Sequence, residues 1–189
     1  ALGATTHTLS KALRTPAVRG RWGEMQLRRV VEIAGMLQRC DFDEQPGLES
    51  DAGRLRPDLI VHLPGGKQIV VDAKAPLEAF LDAQETADDE SRVVKLQAHA
   101  RQVRDHVDRL ASKSYWEQLG ESPEMVVLFL PGETLFAAAL QHDLTLIEHG
   151  LRQRVLLASP ITLIALLTTV AHNWRQEALA ENYREVAAL

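Results

Sequence analysis

Residues 56–74 read Arg56-Pro57-Asp58-Leu59-Ile60-Val61-His62-Leu63-Pro64-Gly65-Gly66-Lys67-Gln68-Ile69-Val70-Val71-Asp72-Ala73-Lys74. Two short runs rich in Val, Ile and Leu flank a Pro-Gly-Gly sequence that is typical of a turn. The pattern predicts a β-hairpin. Three ionisable residues interrupt its apolar strands: Asp58 near the start of the first, and Asp72 and Lys74 at the end of the second.

The loop length decides which way Asp58 points. Side chains alternate between the two faces of a strand, so Asp72 and Lys74 share a face. A two-residue loop places Leu59 opposite Asp72 and turns Asp58 away, whereas a three-residue loop over 64–66 places Asp58 opposite Asp72. We predict the three-residue loop, because its last residue adopts a left-handed conformation that the glycine at this position accepts readily.

Two facing carboxylates suggest a cation site. At about 4 Å, with an effective dielectric near 20, they repel by roughly 4 kcal/mol. A divalent cation reverses the sign, and Mg²⁺ takes one or two carboxylates together with waters and a phosphate oxygen. Beside such an ion, Lys74 would orient a water or stabilise charge on a phosphate, so the residues predict metal-assisted phosphodiester hydrolysis. The alternative is a structural ion pair between Asp72 and Lys74, with Asp58 capping a turn; an exposed pair contributes only about 0–1 kcal/mol.

Pro57-Asp58, the hairpin and Asp72-Ala73-Lys74 together resemble the PD-(D/E)XK nuclease motif. The surrounding sequence resembles the RmuC family of bacterial DNA recombination proteins from about Gly20 to the end of the chain. Four stretches carry this second resemblance: Gly20-Arg21-Trp22-Gly23-Glu24, Val70-Val71-Asp72-Ala73-Lys74-Ala75-Pro76-Leu77, Phe129-Leu130-Pro131-Gly132-Glu133 and Ala158-Ser159-Pro160-Ile161-Thr162-Leu163-Ile164-Ala165-Leu166-Leu167.

The resemblance implies an α/β fold with a restriction-endonuclease-like αβββαβ core. In such a core a mixed sheet is flanked by helices, here with extra N- and C-terminal helices. It also implies that Asp58, Asp72 and the main-chain carbonyl of Ala73 hold Mg²⁺, for which Mn²⁺ can substitute. Lys74 would assist the attacking water, and Glu24 on the first helix would complete the metal and catalytic site.

The function implied by the resemblance is that of a Mg²⁺-dependent DNA endonuclease domain that acts in DNA recombination and limits inversion at short inverted repeats. Its partner would be DNA, including hairpin or branched DNA. The alternative is a catalytically inactive module on a nuclease fold that binds DNA structures or a partner protein. We expect a helical lead-in over residues 1–19 and the nuclease domain over residues 20–189.

The family also implies a cytoplasmic location. In full-length members a further segment, absent from this sequence, tethers the protein to the inner membrane. The fragment itself is expected to make no membrane contact, since no apolar run reaches the roughly 18 residues that a span requires. The oligomeric state is not predicted by any pattern in the sequence.

Composition limits where DNA can bind. The 189-residue chain carries a net charge of −5, whereas phosphate contacts dominate nucleic-acid affinity. Any DNA site must therefore be a local basic patch, for which Arg54, Arg56 and Lys67 are candidates beside the hairpin. The single cysteine, Cys40, excludes an intramolecular disulfide and is predicted to be a buried apolar residue.

Periodicity predicts the helices. Pro16 is expected to break the lead-in, and a first core helix is predicted over 21–38, with Glu24 at the edge of its apolar stripe and facing the sheet. That stripe comprises Leu27, Val30, Val31, Ala34 and Leu37. A longer helix is predicted over 90–113, with Val93, Leu96, Val103, Val107 and Leu110 on its buried side.

No binding role is predicted for the polar residues of the long helix. Its basic side chains alternate with acids, which favours an ordinary solvated face. His99 and His106 are interpreted as surface or structural residues. Glu133, in the first turn of a helix predicted over 133–142, is either a first-turn acid favoured by the helix dipole or a partner of the metal site. Further strands are predicted over 40–45, 125–130 and 154–158, and further helices over 77–84, 144–152 and from 160 onwards.

Overall fold

A computed structural model describes residues 12–42, 57–63, 66–74, 76–112 and 125–187. The described residues form six α-helices and five strands. The helices are α1 Pro16–Ile33, α2 Glu78–Glu85, α3 Asp89–Ser112, α4 Glu133–His142, α5 Leu146–Arg152 and α6 Pro160–Ala187; the strands are β1 Cys40–Phe42, β2 Leu59–His62, β3 Gln68–Ala73, β4 Met125–Phe129 and β5 Val155–Ala158.

The strands form one mixed sheet in the order β1-β2-β3-β4-β5. The pairs β1–β2 and β2–β3 are antiparallel, and β3–β4 and β4–β5 are parallel. The carboxyl ends of β3, β4 and β5 therefore lie at one edge of the sheet, where α/β proteins commonly bind ligands. The prediction of an α/β fold with a mixed sheet flanked by helices is confirmed.

The hairpin has the predicted three-residue register. Leu59 pairs with Val71 and His62 with Gln68. The N–H of Leu63 donates to the carbonyl of Lys67 over 2.8 Å, which continues that register to the loop. Gly66 has φ 80°, the left-handed conformation expected at the last loop residue. Pro64 and Gly65 lie outside the described residues.

Both faces of the sheet are covered, because the inner strands are apolar on both sides. One core lies between the sheet and helices α1 and α6, and includes Leu27, Val31, Leu59, Val71, Phe129, Leu163 and Leu167. The other lies between the sheet and helices α3, α4 and α5, and includes Val70, Val103, Val107, Leu128, Leu146 and Val155. Among the helices in the described ranges, none is long and apolar enough to cross a membrane.

The first helix differs from the prediction at both ends. It begins at Pro16, because a proline at the first helical position lacks only an N–H that would have no helical partner. It ends at Ile33, since Gly35 has φ 69° and turns the chain. Leu37, predicted to be buried, is therefore 45% exposed, and Met36 fills the core instead.

The other elements lie within two residues of their predicted ends, apart from the predicted strand over 40–45. That strand is observed as Cys40–Phe42, and residues 43–45 lie outside the described part of the chain. Cys40 is buried as predicted. Val93 is exposed rather than buried, since the buried residues of α3 begin only at His99 and Ala100.

Candidate functional site

Asp58 and Asp72 meet at the carboxyl end of β3. Continuation of the β2–β3 register by one residue places them opposite each other. Asp58 Oδ2 accepts a hydrogen bond from the N–H of Ala73 over 2.6 Å, which fixes the Asp58 carboxylate beside the strand. Asp72 is only 2% exposed. Its neighbours Val70 and Leu128 belong to the core beneath α3, so both carboxylates face that helix.

Lys74 extends its amine back over this pair. Its Nζ lies 3.0 Å from Asp72 Oδ2 and 3.5 Å from the carbonyl oxygen of Ala73. Its backbone N–H donates to the carbonyl of Phe129, which continues the pairing with β4 past the last residue of β3. The ammonium therefore lies among the oxygens that the resemblance assigns to a metal ion.

The pKa values of Asp58 and Lys74 show how burial and neighbouring charges act on this cluster. Burial, followed by the negative charge of Asp72, raises the pKa of Asp58 from 3.8 to about 6, although Lys74 and the Ala73 N–H oppose the shift. Burial opposes the charge on Lys74, but the carboxylates of Asp72 and Asp58 outweigh it and raise the pKa of the amine. Lys74 is thus a cation at neutral pH.

A cleft of about 410 Å³ opens above these residues. Asp58, Ala73 and Lys74 line it together with Glu24 from α1. Glu24 is exposed, so the prediction that it faces the sheet rather than bulk water is wrong. Further lining residues are Pro16, Arg19, Pro76, Glu78, Gln102, His106 and Arg109.

Two other residues considered for the site, Lys67 and Glu133, do not line the cleft. Lys67 is exposed at the start of β3, about 17 Å along the strand from Asp72. Arg54 and Arg56 lie outside the described residues. Glu133 Oε1 accepts a hydrogen bond from the N–H of Ile161 over 2.8 Å, so it joins the starts of α4 and α6 as a first-turn acid.

The interpretation of the long helix missed residues that face the cleft. Gln102, His106 and Arg109 follow one another at intervals of four and three residues, so they share a face of α3. Burial, with the charges of Arg109 and Lys74, lowers the pKa of His106 to about 4. The intervals were visible in the sequence, but only the packing of α3 across the sheet shows which face points at the hairpin.

His99, by contrast, is structural, as interpreted. It is fully buried, and its ring nitrogens lie 3.1 Å from the carbonyl oxygen of Pro76 and 2.9 Å from that of Leu135. Burial lowers its pKa, although both carbonyls oppose the shift. His99 thereby attaches the segment that follows Lys74 to α4.

The donor set suits a hard cation that keeps several waters. Within the described residues, no three side chains of His, Cys, Asp or Glu converge closely enough to share one ion. The oxygens that surround the Lys74 ammonium come from one carboxylate, of Asp72, and the carbonyl of Ala73, with the Asp58 carboxylate opposite. Mg²⁺ binds through one or two carboxylates and several waters, whereas Zn²⁺ sites usually include His or Cys ligands. The residues fit Mg²⁺.

Comparison with known proteins identifies the family. The sequence model described as the RmuC family matches residues 1–189. A relative named DNA recombination protein RmuC homolog, from Zymomonas mobilis, is 46% identical over 96% of this chain and 41% of its own length. One of the same name from Chlamydia pneumoniae is 44% identical over 97% of this chain and 43% of its own length. DNA recombination protein RmuC of Escherichia coli is 37% identical over 95% of this chain and 38% of its own length.

These relatives extend beyond the chain, which spans about two fifths of their length. No solved structure matches the chain significantly. The family match covers every residue, and the stretches that first suggested it flank the cleft or the carboxyl ends of β4 and β5. The chain therefore belongs to the RmuC family.

Proposed function

We propose that this chain is a Mg²⁺-dependent DNA endonuclease domain that acts in DNA recombination and limits inversion at short inverted repeats. The observation that carries the proposal is the pairing of Asp58 with Asp72 beside the cationic Lys74, in a cleft open to solvent. The names of the relatives support DNA as the substrate. The proposal includes hairpin and branched DNA among the substrates.

The order of elements supports a restriction-endonuclease-like core. Helix α1 is followed by the antiparallel strands β1, β2 and β3, then by α2 and α3, and then by the parallel strand β4. With α2 and α3 taken as the connecting helical unit, this is the order αβββαβ. Helices α4, α5 and α6 and strand β5 then extend the core.

Each residue has a role that follows from its position. Asp58, Asp72 and the carbonyl of Ala73 would hold Mg²⁺, with Glu24 across the cleft binding its waters. The bound ion would supply a Lewis acid and a water of lowered pKa. Because its pKa is raised, Lys74 acts as a charged donor that orients the water and stabilises the phosphate, rather than as a general base.

The cleft also resolves the difficulty of the chain's net charge. Its lining contains three basic and three acidic side chains: Arg19, Lys74, Arg109, Glu24, Asp58 and Glu78. A dication bound there would make the lining positive, although the chain as a whole carries −5. Attraction to a phosphodiester is then local and depends on the metal.

A cleavage assay on fluorescent hairpin, forked and linear DNA, with millimolar Mg²⁺ or Mn²⁺, tests the proposal. Asp72→Asn and Lys74→Met should each lower the cleavage rate by about 10²–10³, the usual cost of removing one group that stabilises transition-state charge. Asp89→Asn, which changes an 89% exposed carboxylate outside the cleft, should leave the rate unchanged. Equal cleavage by all three variants would rule out catalytic roles for Asp72 and Lys74.

A second candidate is the inactive binding module. The specific observation in its favour is that the Lys74 ammonium already neutralises Asp72 without any metal. Such a module would bind hairpin or branched DNA, or a partner protein, and would not cleave DNA with either metal. DNA binding without cleavage by the unmodified chain supports this candidate over the first.

A further inference from the structure

Two arginines from different helices line the cleft that holds Asp58 and Lys74. Arg19 lies in the first turn of α1 and Arg109 in the last turn of α3. The helices approach the cleft from separate layers of the fold, so the two guanidinium groups reach it from different sides of the sheet. Neither residue belongs to the hairpin that carries the proposed metal ligands.

Among the described residues, neither arginine has a carboxylate partner, in contrast to five other arginines. Arg14, Arg29, Arg92, Arg104 and Arg152 form ion pairs with acids 2.7–3.4 Å away. Arg39 stacks on Trp174. Arg109 donates its Nε–H to the carbonyl of Asp105 over 3.1 Å, and neither it nor Arg19 forms an ion pair with a residue in the described ranges. Their charge is therefore available to a ligand.

Arg109 and Lys74 place two cations near His106. After burial, which is the largest cause, their charges lower the pKa of His106, whereas the carboxylates of Asp72 and Asp105 oppose the shift. Lys74 is paired with Asp72 over 3.0 Å, but Arg109 has no such partner in the described residues. A phosphate beside Arg109 would therefore meet a charge that no carboxylate already offsets.

Gln102 supplies an independent sign of a missing partner. It lines the cleft, and its Oε1 atom is buried without a hydrogen-bond partner among the described residues. A buried amide left without a partner is destabilising, and a hydrogen bond to a ligand or an ordered water removes that cost. Because the two ends of an amide are assigned from their surroundings, either end can face the ligand.

We propose that Arg19, Arg109 and the Gln102 amide bind backbone phosphates of a DNA strand that lies in the cleft. The planar guanidinium donates two parallel hydrogen bonds to a phosphate, which gives both attraction and orientation. The proposal rests on the proposed function in taking DNA as the ligand. It does not require that the chain cleaves DNA.

Fluorescence anisotropy with a labelled hairpin DNA tests this site. The 189-residue chain is titrated in EDTA and, separately, in Ca²⁺ over a range of salt concentrations. Arg19→Ala and Arg109→Ala should each raise the Kd by about tenfold and reduce the slope of log K against log salt by about 0.9 on duplex or 0.7 on single-stranded DNA. Arg101→Ala, an exposed change on the same helix as Arg109, should alter neither quantity.

Charge-preserving variants separate the effect of the positive charge from that of the paired hydrogen bonds. Arg19→Lys and Arg109→Lys should keep the salt slope of the unmodified chain while still raising the Kd, since lysine retains the charge and loses the paired hydrogen bonds. The inference is overturned if the alanine variants keep the Kd and slope of Arg101→Ala, or if the unmodified chain binds no DNA in either condition. Slope losses in a chain that never cleaves DNA would uphold the inference and remove only the nuclease proposal.

Discussion

Helix α3 presents polar residues on two faces with different surroundings. On one face, Arg104 donates from Nε to Asp143 Oδ2 over 2.7 Å and from Nη2 to Thr145 Oγ1 over 2.7 Å. Asp108 on the same face accepts hydrogen bonds from His149 and Gln153. The other face carries Gln102, His106 and Arg109, which line the cleft.

The difference shows that the hydrogen-bond and ion-pair partners of a residue, rather than its type, distinguish a structural face of the helix from a binding face. Arg104 and Arg109 are five positions apart on one helix, and only Arg104 meets acids from a neighbouring element. The packed face, Arg104 and Asp108 with their partners, therefore stabilises the fold. The cleft face adds little stability and leaves the charge of Arg109 available to a ligand.

The largest expected effect is at the carboxylate pair. The folded-state pKa of Asp58, about 6, exceeds its ordinary 3.8, so the folded chain binds a proton that the unfolded chain releases between these values. The free energy of unfolding therefore falls as pH rises from about 4 to about 6. Asp58→Asn should remove this loss and stabilise the chain at pH 7.5 by at most about 3 kcal/mol.

Urea unfolding in EDTA, at several pH values, measures this prediction. The gain should vanish below about pH 4, where the carboxyl is protonated in both states. Asp89→Asn serves as the exposed control. A variant that is less stable than the unmodified chain at pH 7.5 would show that the Asp58 carboxylate stabilises the fold.

A larger residue at Gly150, where α5 packs against β5, should destabilise the chain. A Cβ at Gly150 would lie 2.6 Å from Leu157 Cδ1 and 2.6 Å from the carbonyl oxygen of Val155. Gly150→Ala should therefore push α5 away from β5, at a cost of about 1–3 kcal/mol. Gly20→Ala is the matched control, because nothing lies within 4 Å of its added Cβ and alanine favours the helix. Thermal unfolding that gives equal losses for both would contradict the packing argument.

Arg104 and Arg109, on different faces of α3, should respond differently to substitution. Arg104→Ala removes the donors to Asp143 Oδ2 and Thr145 Oγ1, while Asp143 Oδ1 still accepts from Thr145. The substitution should lower the free energy of unfolding by about 1–2 kcal/mol. Arg109→Ala should stay within about 0.5 kcal/mol of the unmodified chain. Paired urea titrations check both values, and a larger loss for Arg109→Ala would reverse the comparison.

The smallest effect is expected at His106. Its pKa of about 4 means that the side chain is neutral at pH 7.5, so His106→Gln changes no charge. Stability should change by less than about 0.5 kcal/mol, and the salt dependence of DNA binding should be unaffected. A salt slope reduced by about one unit at pH 7.5 would show that the imidazole is a cation in contact with phosphate.

The hairpin shows how far local sequence determines the site. Gly66 fixed the loop length, and the loop length fixed the register that brings Asp58 to Asp72. Alternation then placed Lys74 on the same face. Each step depends on residues close in sequence, so the sequence alone was sufficient.

Residues that depend on long-range packing were harder to predict. Periodicity predicts that Leu37 is buried on the first helix, but the helix ends before the turn at Gly35 and Leu37 is exposed. Periodicity also predicts that Val93 is buried, and it is exposed. Arg109 and His106 carry no local signal for the cleft, since charged and polar residues alternate along all of α3. Their role depends on the position of that helix over the end of β3.

The most direct test of the account is calorimetric titration of Mg²⁺ and Mn²⁺ into the unmodified chain at pH 7.5. We expect the unmodified chain to bind one divalent ion. Asp72→Asn and Asp58→Asn should each lose this site, and Asp89→Asn should retain it. Binding should also stabilise the chain, by roughly 1.4 kcal/mol at tenfold the Kd. Absence of binding at millimolar metal, or binding that persists without the Asp72 carboxylate, would contradict the claim that these carboxylates are paired to hold a cation.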